Sequence, residues 1–404
     1  MTQDLTTVIV GGSHAGVQCA LGLRRLDPNR RIVVLEGDGN LPYERPPLSK
    51  AVLAGSSGSQ IRKPAVYDKQ RIDLRLRTRV GAVDRTNARV ELCDGGSIAY
   101  DSLLLATGTT ARYPRIPGIE LEGVRTLRTF DDASWLYSRM TPGSKLVIVG
   151  GGFIGLEAAA AAAKAKVQVT VIEAVGRVLA RVTNEVVSRF FERLHVSNGV
   201  EFRLGQTLLG IEGRNGHVQA VVASDNTRLE ADAVLIGIGV APAQDLAVAA
   251  GLACDDGIQV DRSCRTSDEN IFAAGDVTRH ENLAVGRRLR LECVQNALSQ
   301  GEIAANNMCG FPREYNEVPW FWTEQFNVRM QSAGVHEPGD KILVRGDPDA
   351  NRFSVLYLRD QVISAIDTIN CLPDFTAAKR LIQDRSPVNV ALASDPARPL
   401  TPLD

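Results

Sequence analysis

The sequence predicts an α/β protein with two parallel, doubly wound sheets, followed by a segment of mixed α+β character. Three observations carry this reading. The run Val8-Ile9-Val10-Gly11-Gly12-Ser13-His14-Ala15-Gly16 returns as Leu146-Val147-Ile148-Val149-Gly150-Gly151-Gly152-Phe153-Ile154-Gly155, so one strand, glycine turn and helix start is built twice. Each copy is followed by a second apolar strand that ends in an acid, Glu36 and Glu173. From Trp320 onward the texture changes to alternation, the pattern of antiparallel strands.

In the first copy, residues 6–10 are a β-branched run, residues 15–26 carry a helical period, and Ile32-Val33-Val34-Leu35 is the next strand. That order is a βαβ unit. Residues 145–149, 153–164 and 167–172 repeat it. Parallel strands joined by crossover helices place ligands at the carboxyl ends of the strands. Leu103-Leu104-Leu105-Ala106-Thr107-Gly108 is a buried-type strand running into a small-residue turn, and Leu235-Ile236-Gly237-Ile238-Gly239 closes the second copy in the same way. Ile271-Phe272-Ala273-Ala274-Gly275-Asp276 is a third strand and turn, at a spacing that belongs to neither copy. Further on, alternating runs at residues 353–358 and 361–366 flank Arg359-Asp360 as a hairpin, and residues 375–384 read as a helix. The proline-rich stretch 396–402 is expected to be loosely held.

Composition narrows the function. With 404 residues, 44% hydrophobic and 23% charged, the chain can bury several cores, and a formal net charge of −1 supplies no global field to recruit nucleic acid or a membrane surface. No apolar run reaches the roughly 18 to 20 residues of a membrane span, and the start lacks a basic, apolar leader, so a cytoplasmic location is expected. Seven scattered cysteines, without C-x-x-C or C-x4-C spacing, do not form a disulfide framework.

The chemistry of the doubled turn is that of a dinucleotide site. Glycines let the backbone approach a pyrophosphate, and the amides and dipole of the following helix stabilise its charge. The second copy fits G-x-G-x-x-G at Gly150, Gly152 and Gly155; the first has Gly11 and Gly16 with Ser13 in the middle place, where the hydroxyl can donate to a phosphate oxygen. Glu36 lies 25 residues after Gly11 and Glu173 lies 23 after Gly150, each placed to accept from ribose hydroxyls. Two Rossmann-type sites in one chain point to two cofactors that exchange something, and a flavin with a nicotinamide is the usual hydride-transfer pair. Asp276, just after a buried strand, is placed for a ribityl hydroxyl, and Lys50 follows an extended proline pair in Glu44-Arg45-Pro46-Pro47-Leu48-Ser49-Lys50. His14 has no metal partner at ligand spacing and reads as a turn residue, and no metal site is expected.

Taken together, Arg45-Pro46-Pro47-Leu48-Ser49-Lys50, Leu105-Ala106-Thr107-Gly108, Leu127-Arg128-Thr129, Gly150-Gly151-Gly152-Phe153-Ile154-Gly155-Leu156-Glu157, Gly275-Asp276-Val277 and Pro319-Trp320-Phe321-Trp322-Thr323-Glu324-Gln325 make the chain resemble the FAD- and NADH-dependent ferredoxin reductases of bacterial oxygenase systems. The resemblance implies a glutathione-reductase-like architecture: an FAD domain from residues 1–112 and 242–319, an inserted NADH domain at 113–241, and a C-terminal α+β domain at 320–404. It also implies site residues. Gly11, Ser13, Ala15, Gly16, Glu36, Arg45, Lys50, Val80, Thr107, Gly108, Arg128, Asp276 and Val294 are expected at FAD, with Trp320 beside the ring. Gly150, Gly152, Ile154, Gly155, Glu157, Glu173 and Gly239 are expected at NADH, with Glu157 toward the nicotinamide. Lys50 and Glu157 are the two residues expected to be catalytic. Asp38 is an alternative to Glu36 as the ribose acid.

The implied reaction is hydride transfer from NADH to FAD, then single-electron transfer to a separate [2Fe–2S] ferredoxin that feeds a monooxygenase or ring-hydroxylating dioxygenase. Glu173 hydrogen-bonds a 2′-hydroxyl and repels a 2′-phosphate, so NADH is expected over NADPH. Arg177, four residues on, is placed to offset that preference. The absence of C-x4-C-x2-C means that the cluster must reside on another molecule. Cys293, near the expected flavin region, reads as a small hydrophobe and not as a redox thiol. The run Arg287-Arg288-Leu289-Arg290, with Arg313, is either a docking patch for an acidic ferredoxin or a solvated loop. Two other readings share the doubled fold. An NADH:quinone oxidoreductase needs a basic amphipathic C-terminal helix, which the proline-interrupted end lacks. A non-catalytic redox sensor of the apoptosis-inducing-factor type, binding nucleic acid, lacks its basic region here.

Overall fold

The computed structural model describes residues 5–403. The chain divides into two compact units, the first gathering the residues up to Glu44 with Ser59–Thr110 and Ala241–Phe321, the second Arg45–Gly58, Ala111–Val240 and Trp322–Asp404.

The first unit is centred on a five-stranded parallel sheet in the spatial order Ile271–Ala273, Ser102–Leu105, Thr6–Val10, Arg31–Leu35, Ile72–Arg75. Thr6–Val10 and Arg31–Leu35 are rich in β-branched residues and buried on both sides, and alternation along the sheet splits its side chains between two cores. Ile9, Val34 and Leu104 face one core with Val17 and Leu23 of the helix His14–Leu26 and Ile303 and Ala304 of the helix Val294–Met308. Val8, Val33 and Leu103 face the other, against Val83, Val90 and Ile98 of a three-stranded antiparallel sheet. The third strand-and-turn of the sequence is therefore not separate: Ile271–Ala273 pairs in parallel with Ser102–Leu105 and completes the first sheet. Pairing across so many residues has no local signature.

The second unit repeats the plan with the order Glu201–Leu204, Gln168–Glu173, Lys145–Val149, Ala233–Ile236, Val124–Arg125. Helix Phe153–Lys164 starts at the glycine turn, and its alanines allow close packing. A five-stranded sheet from the C-terminal part runs in the order Trp320–Gln325, Val328–Gly334, Val362–Ile369, Arg352–Arg359, Lys341–Asp347. Val328, Met330, Phe353 and Val355 from it share a core with Phe190 and Phe191 of the helix Glu185–Val196. Full burial of each such side chain contributes roughly 2 kcal/mol. The expected hairpin forms with its turn one residue later: Arg359 pairs with Val362, and Asp360 and Gln361 make the turn at φ +48° and +64°.

The proline-rich tail is not loose. Arg345, 4% exposed, donates to the carbonyls of Ala393, Asp395 and Arg398, and its Nε bonds Asp374 at 2.9 Å. Leu400 is buried and the Leu403 amide donates to Pro387 at 2.7 Å. A single buried guanidinium thus pins a segment whose composition reads as free.

Candidate functional site

The two glycine turns are near copies in three dimensions. Gly11 and Gly150 have φ +108° and +112°, and a Cβ on either would lie 2.2 Å from the Ala106 oxygen or 2.3 Å from the Gly237 oxygen. A Cβ on Gly16 or Gly155 would lie 1.9 or 2.2 Å from the carbonyl of Gly11 or Gly150. Both pairs are compulsory glycines, because the strand end and the helix start touch there. The acids repeat as well. Glu36 Oε2 accepts from the Gly12 amide at 2.6 Å and Oε1 from Asp38 at 2.8 Å; Glu173 Oε2 accepts from Gly151 at 2.6 Å and Oε1 from Val175 at 3.1 Å.

The donor set fits a dinucleotide at each turn. Helix geometry leaves the first-turn amides without intrahelical partners, and a Cβ at Gly152 meets nothing within 4 Å, so the front of the second turn is open. Ser13 stands in the matching place of the first turn, half-buried, as the extended residue that opens the helix. Asp38 is spent inside its own loop, accepting from Asn40 and from the Tyr43 hydroxyl at 2.9 Å, whereas Glu36 sits on the turn itself.

Other residues of the first unit gather at the same end of its sheet. A Cβ on Gly275 would meet Ala15 Cβ at 3.2 Å and Ala297 Cβ at 3.6 Å, which sets the Gly275-Asp276 turn between the starts of two helices, one of them beginning at Val294. Gln300, fully buried, accepts from the Gly275 amide and from Thr278 Oγ1, both at 2.8 Å. Thr107 Oγ1 donates to Ala243 O at 2.7 Å, fixing the turn that holds Gly108. Val80 opens the antiparallel sheet, where its neighbour Arg79 lies 3.4 Å from a Cβ built on Gly37. Trp320 is half-buried. Cys293 precedes the helix Val294–Met308, and burial pushes its thiol up to about 12, which leaves it protonated and inert.

Arg45, Lys50 and Arg128 fall in the second unit. Arg45 Nη1 donates to Arg128 O at 2.8 Å, and Thr129 caps the following helix through a capping box with Asp132. Lys50 Nζ lies 2.7 Å from Glu157 Oε1. Glu157, 6% exposed, also accepts from Thr323 Oγ1 at 2.6 Å and from Ser49. The two expected catalytic residues are thus one ion pair, and Ser49 and Thr323, present in the motifs, are its further donors.

Near the second turn, Ile154 is 43% exposed. Gly239, at φ +101°, carries a place for Cβ 3.4 Å from Arg181 Nη2, so an exposed guanidinium overhangs that loop. Sequence reasoning missed Arg181, which has no motif to mark it. Arg177 is engaged by the protein itself: it donates to Thr183 O and Ala180 O in its own loop and to Ser188 Oγ of the helix Glu185–Val196. The expected arginine patch is also smaller than its sequence. Residues Arg287–Arg290 form a strand paired with Thr278–Asn282, Arg290 is bridged to Glu292 and Asp256, and Arg313 lies 3.9 Å from Glu302. Arg287 and Arg288 remain exposed.

A fold of two dinucleotide turns, each with its acid, defines a class, and the chain belongs to the pyridine nucleotide-disulphide oxidoreductases, whose family matches residues 5–301, with the reductase C-terminal family matching 320–403. Within that class, relatives matched along nearly their whole length include ferredoxin reductases. It is 40% identical to putidaredoxin reductase of Pseudomonas putida over 99% of this chain and 97% of that one, and 42% identical to the ferredoxin–NAD(+) reductase component of an anthranilate 1,2-dioxygenase system of Burkholderia cepacia over 93% of each. The reductase in a covalent putidaredoxin reductase–putidaredoxin complex superposes with a TM-score of 0.95 at 39% identity, covering 98% of this chain and 97% of that one. Among the described residues no helix is long and apolar enough to cross a membrane.

Proposed function

We propose that this chain is an NADH-dependent ferredoxin reductase that serves an oxygenase system in the cytoplasm. The single observation that carries the reading is the duplicated turn: two sites with the same compulsory glycines and the same acid bonded to the same amide, joined in one chain to the Lys50–Glu157 pair. Bound FAD would supply the redox chemistry that links a two-electron hydride donor, NADH, to a one-electron acceptor, a [2Fe–2S] protein.

The chain's residues bind and orient. Gly11, Ser13, Ala15 and Gly16 cradle the FAD pyrophosphate, Glu36 takes its ribose, and Asp276 the ribityl chain, with Val80, Thr107, Gly108, Val294 and Trp320 as further contacts. Gly150, Gly152, Ile154 and Gly155 receive the NADH pyrophosphate, Glu173 its adenosine ribose, and Gly239 the cofactor backbone, with Arg181 as an added cation for the phosphates. Lys50 supplies positive charge at the flavin, and Arg45 and Arg128 complete its contacts. Glu157 orients the nicotinamide. On this reading the flavin domain is residues 1–112 with 242–319, and the NADH domain 113–241.

Commitment of Arg177 to its own loop leaves Glu173 unopposed, which supports NADH over NADPH. The test is steady-state reduction of ferricyanide and of purified [2Fe–2S] ferredoxins with either nucleotide. Yellow protein that reduces both acceptors with NADH supports the reading; a colourless protein, or one that reduces quinone and no ferredoxin, overturns it. Replacing Arg287 and Arg288 should slow ferredoxin reduction at low salt while sparing ferricyanide, and equal losses on both would remove their docking role.

A further inference from the structure

Glu157 is the end of a longer buried chain. Thr323 Oγ1 lies 2.6 Å from Glu157 Oε1, Gln325 Nε2 lies 3.2 Å from Thr323 Oγ1, and Gln325 Oε1 lies 2.7 Å from His195 Nε2. Thr323, Gln325 and His195 are each no more than 1% exposed. The His195 ring is edge-on to Phe202 and Phe326, with centroids 6.0 and 5.0 Å away.

Proton bookkeeping gives this chain one direction. A carboxylate offers only lone pairs, so the Thr323 hydroxyl donates to Glu157. With that proton committed, Thr323 must accept from the Gln325 amide nitrogen, which turns the amide oxygen toward His195. An oxygen there requires a proton on Nε2. His195 meets the same condition from its own side: burial pushes its pKa down to about 4, so the ring is neutral, and its Nδ1 has no hydrogen-bond partner in the aromatic cage. Moving the proton to Nδ1 would strand a buried donor and set a lone pair against the Gln325 oxygen, a penalty of about 1–3 kcal/mol for each unmet group. Both ends of the chain therefore demand the same arrangement, with every donor pointing at Glu157.

We propose that Thr323, Gln325 and His195 are positioning residues for the Lys50–Glu157 pair, a one-way hydrogen-bond chain that fixes the Glu157 carboxylate and thereby the rate at which NADH reduces the flavin. The inference rests on the placement of Lys50 and Glu157 at the flavin and nicotinamide. It gives the C-terminal segment a role in the hydride step, because Thr323 and Gln325 belong to the strand Trp320–Gln325, while His195 comes from the helix Glu185–Val196.

The test uses the full-length, FAD-loaded protein in stopped-flow reduction by NADH, with the flavin midpoint potential measured by dye equilibration. Thr323→Val keeps the side chain's size and removes the donor. It should lower the limiting rate of flavin reduction about tenfold, in line with the cost of small misplacements, while the NADH dissociation constant from the same titration moves less than twofold. The potential should fall, because the carboxylate beside Lys50 loses a hydrogen bond that offsets its charge. Thr323→Ser should restore both, and in a Glu157→Gln background Thr323→Val should change neither. Wild-type rate and potential in Thr323→Val, no rescue by serine, or an equal penalty without Glu157 would each overturn the proposal, even if the melting temperature falls. A wild-type protein that NADH does not reduce would instead overturn the function and take this inference with it.

Discussion

At Gly11 and Gly150 the same backbone bend brings a strand end against a neighbouring carbonyl, and at Gly16 and Gly155 the same close approach brings a helix onto that bend. Glu36 and Glu173 then bond the amides of Gly12 and Gly151 at the same 2.6 Å. The turns differ at two positions: Ser13 stands against Gly152, and the buried His14 against Phe153. His14 reaches Glu44 at 2.6 Å, a partner that the phenylalanine of the second turn cannot take. The glycines shared by both turns are demanded by the protein's own backbone, whereas the middle position, where a Cβ on Gly152 meets nothing, is constrained only by what binds. A G-x-S-x-x-G turn is therefore no weaker a fold signal than G-x-G-x-x-G.

The hardest way to break the comparison is to add a methyl group at the close approach. Gly16→Ala and Gly155→Ala place Cβ atoms 1.9 and 2.2 Å from backbone oxygens, and each should destabilise its unit by about 3 kcal/mol. The consequences should separate: Gly16→Ala purifies without flavin absorbance, while Gly155→Ala stays yellow and is not reduced by NADH. Loss of flavin from both, or from neither, would remove the division of labour between the turns.

The acids come next. Glu173→Ala should raise the KM for NADH about tenfold, near 1.4 kcal/mol, and narrow the preference over NADPH; Glu36→Ala should weaken FAD retention and leave that preference alone. Arg181→Ala should raise the KM for NADH about fivefold, the loss of one charge-assisted contact, and Arg177→Ala should leave nucleotide choice unchanged. A changed choice in Arg177→Ala, or an unchanged one in Glu173→Ala, would reverse the assignment made from their hydrogen bonds.

These residues also mark how much of the site could be read in the sequence. The glycines and their acids were legible because a backbone clash is a local demand that only one residue type meets. Lys50 and Glu157 were legible through their motifs, but not as a pair, since 107 positions separate them and only folding brings them to 2.7 Å. Arg181 and Arg177 illustrate the limit. They lie in one loop, four residues apart, and only the three acceptors around Arg177 show which guanidinium is structural. The same holds for Arg290, held by Glu292 and Asp256, and for the tail held by Arg345. A cation's availability depends on acceptors that arrive from elsewhere in the chain, and composition carries no trace of them.

A gentler probe exchanges the middle residues. Gly152→Ser should leave folding stability within about 0.5 kcal/mol, the usual range for a surface change away from special features, because the space there is open. It should weaken NADH binding about threefold by crowding the pyrophosphate. Ser13→Gly should speed FAD dissociation about fivefold, the worth of one hydrogen bond of about 1 kcal/mol. Unchanged FAD retention would show that the hydroxyl does not reach a phosphate and that the serine is merely tolerated.

The smallest expected difference lies in acid. The hydrogen bond from His14 holds the Glu44 carboxyl below the usual carboxylate range, against the opposing effect of burial. A carboxyl whose pKa is lower folded than unfolded stabilises the folded state above its unfolded value, and that contribution is lost as pH falls through the folded value. His14→Phe, which gives the first turn the residue of the second, removes the donor and lets Glu44 titrate nearer its ordinary range. Melting temperatures of the two proteins should therefore differ most at neutral pH, where the wild type is higher, and converge as the pH drops below about 4.5, the ordinary glutamate value. Because Glu44 is partly exposed, solvent screens the interaction and the gap should be small. Parallel curves would mean that His14 supports the turn by packing alone, and that the two turns differ in shape and not in charge.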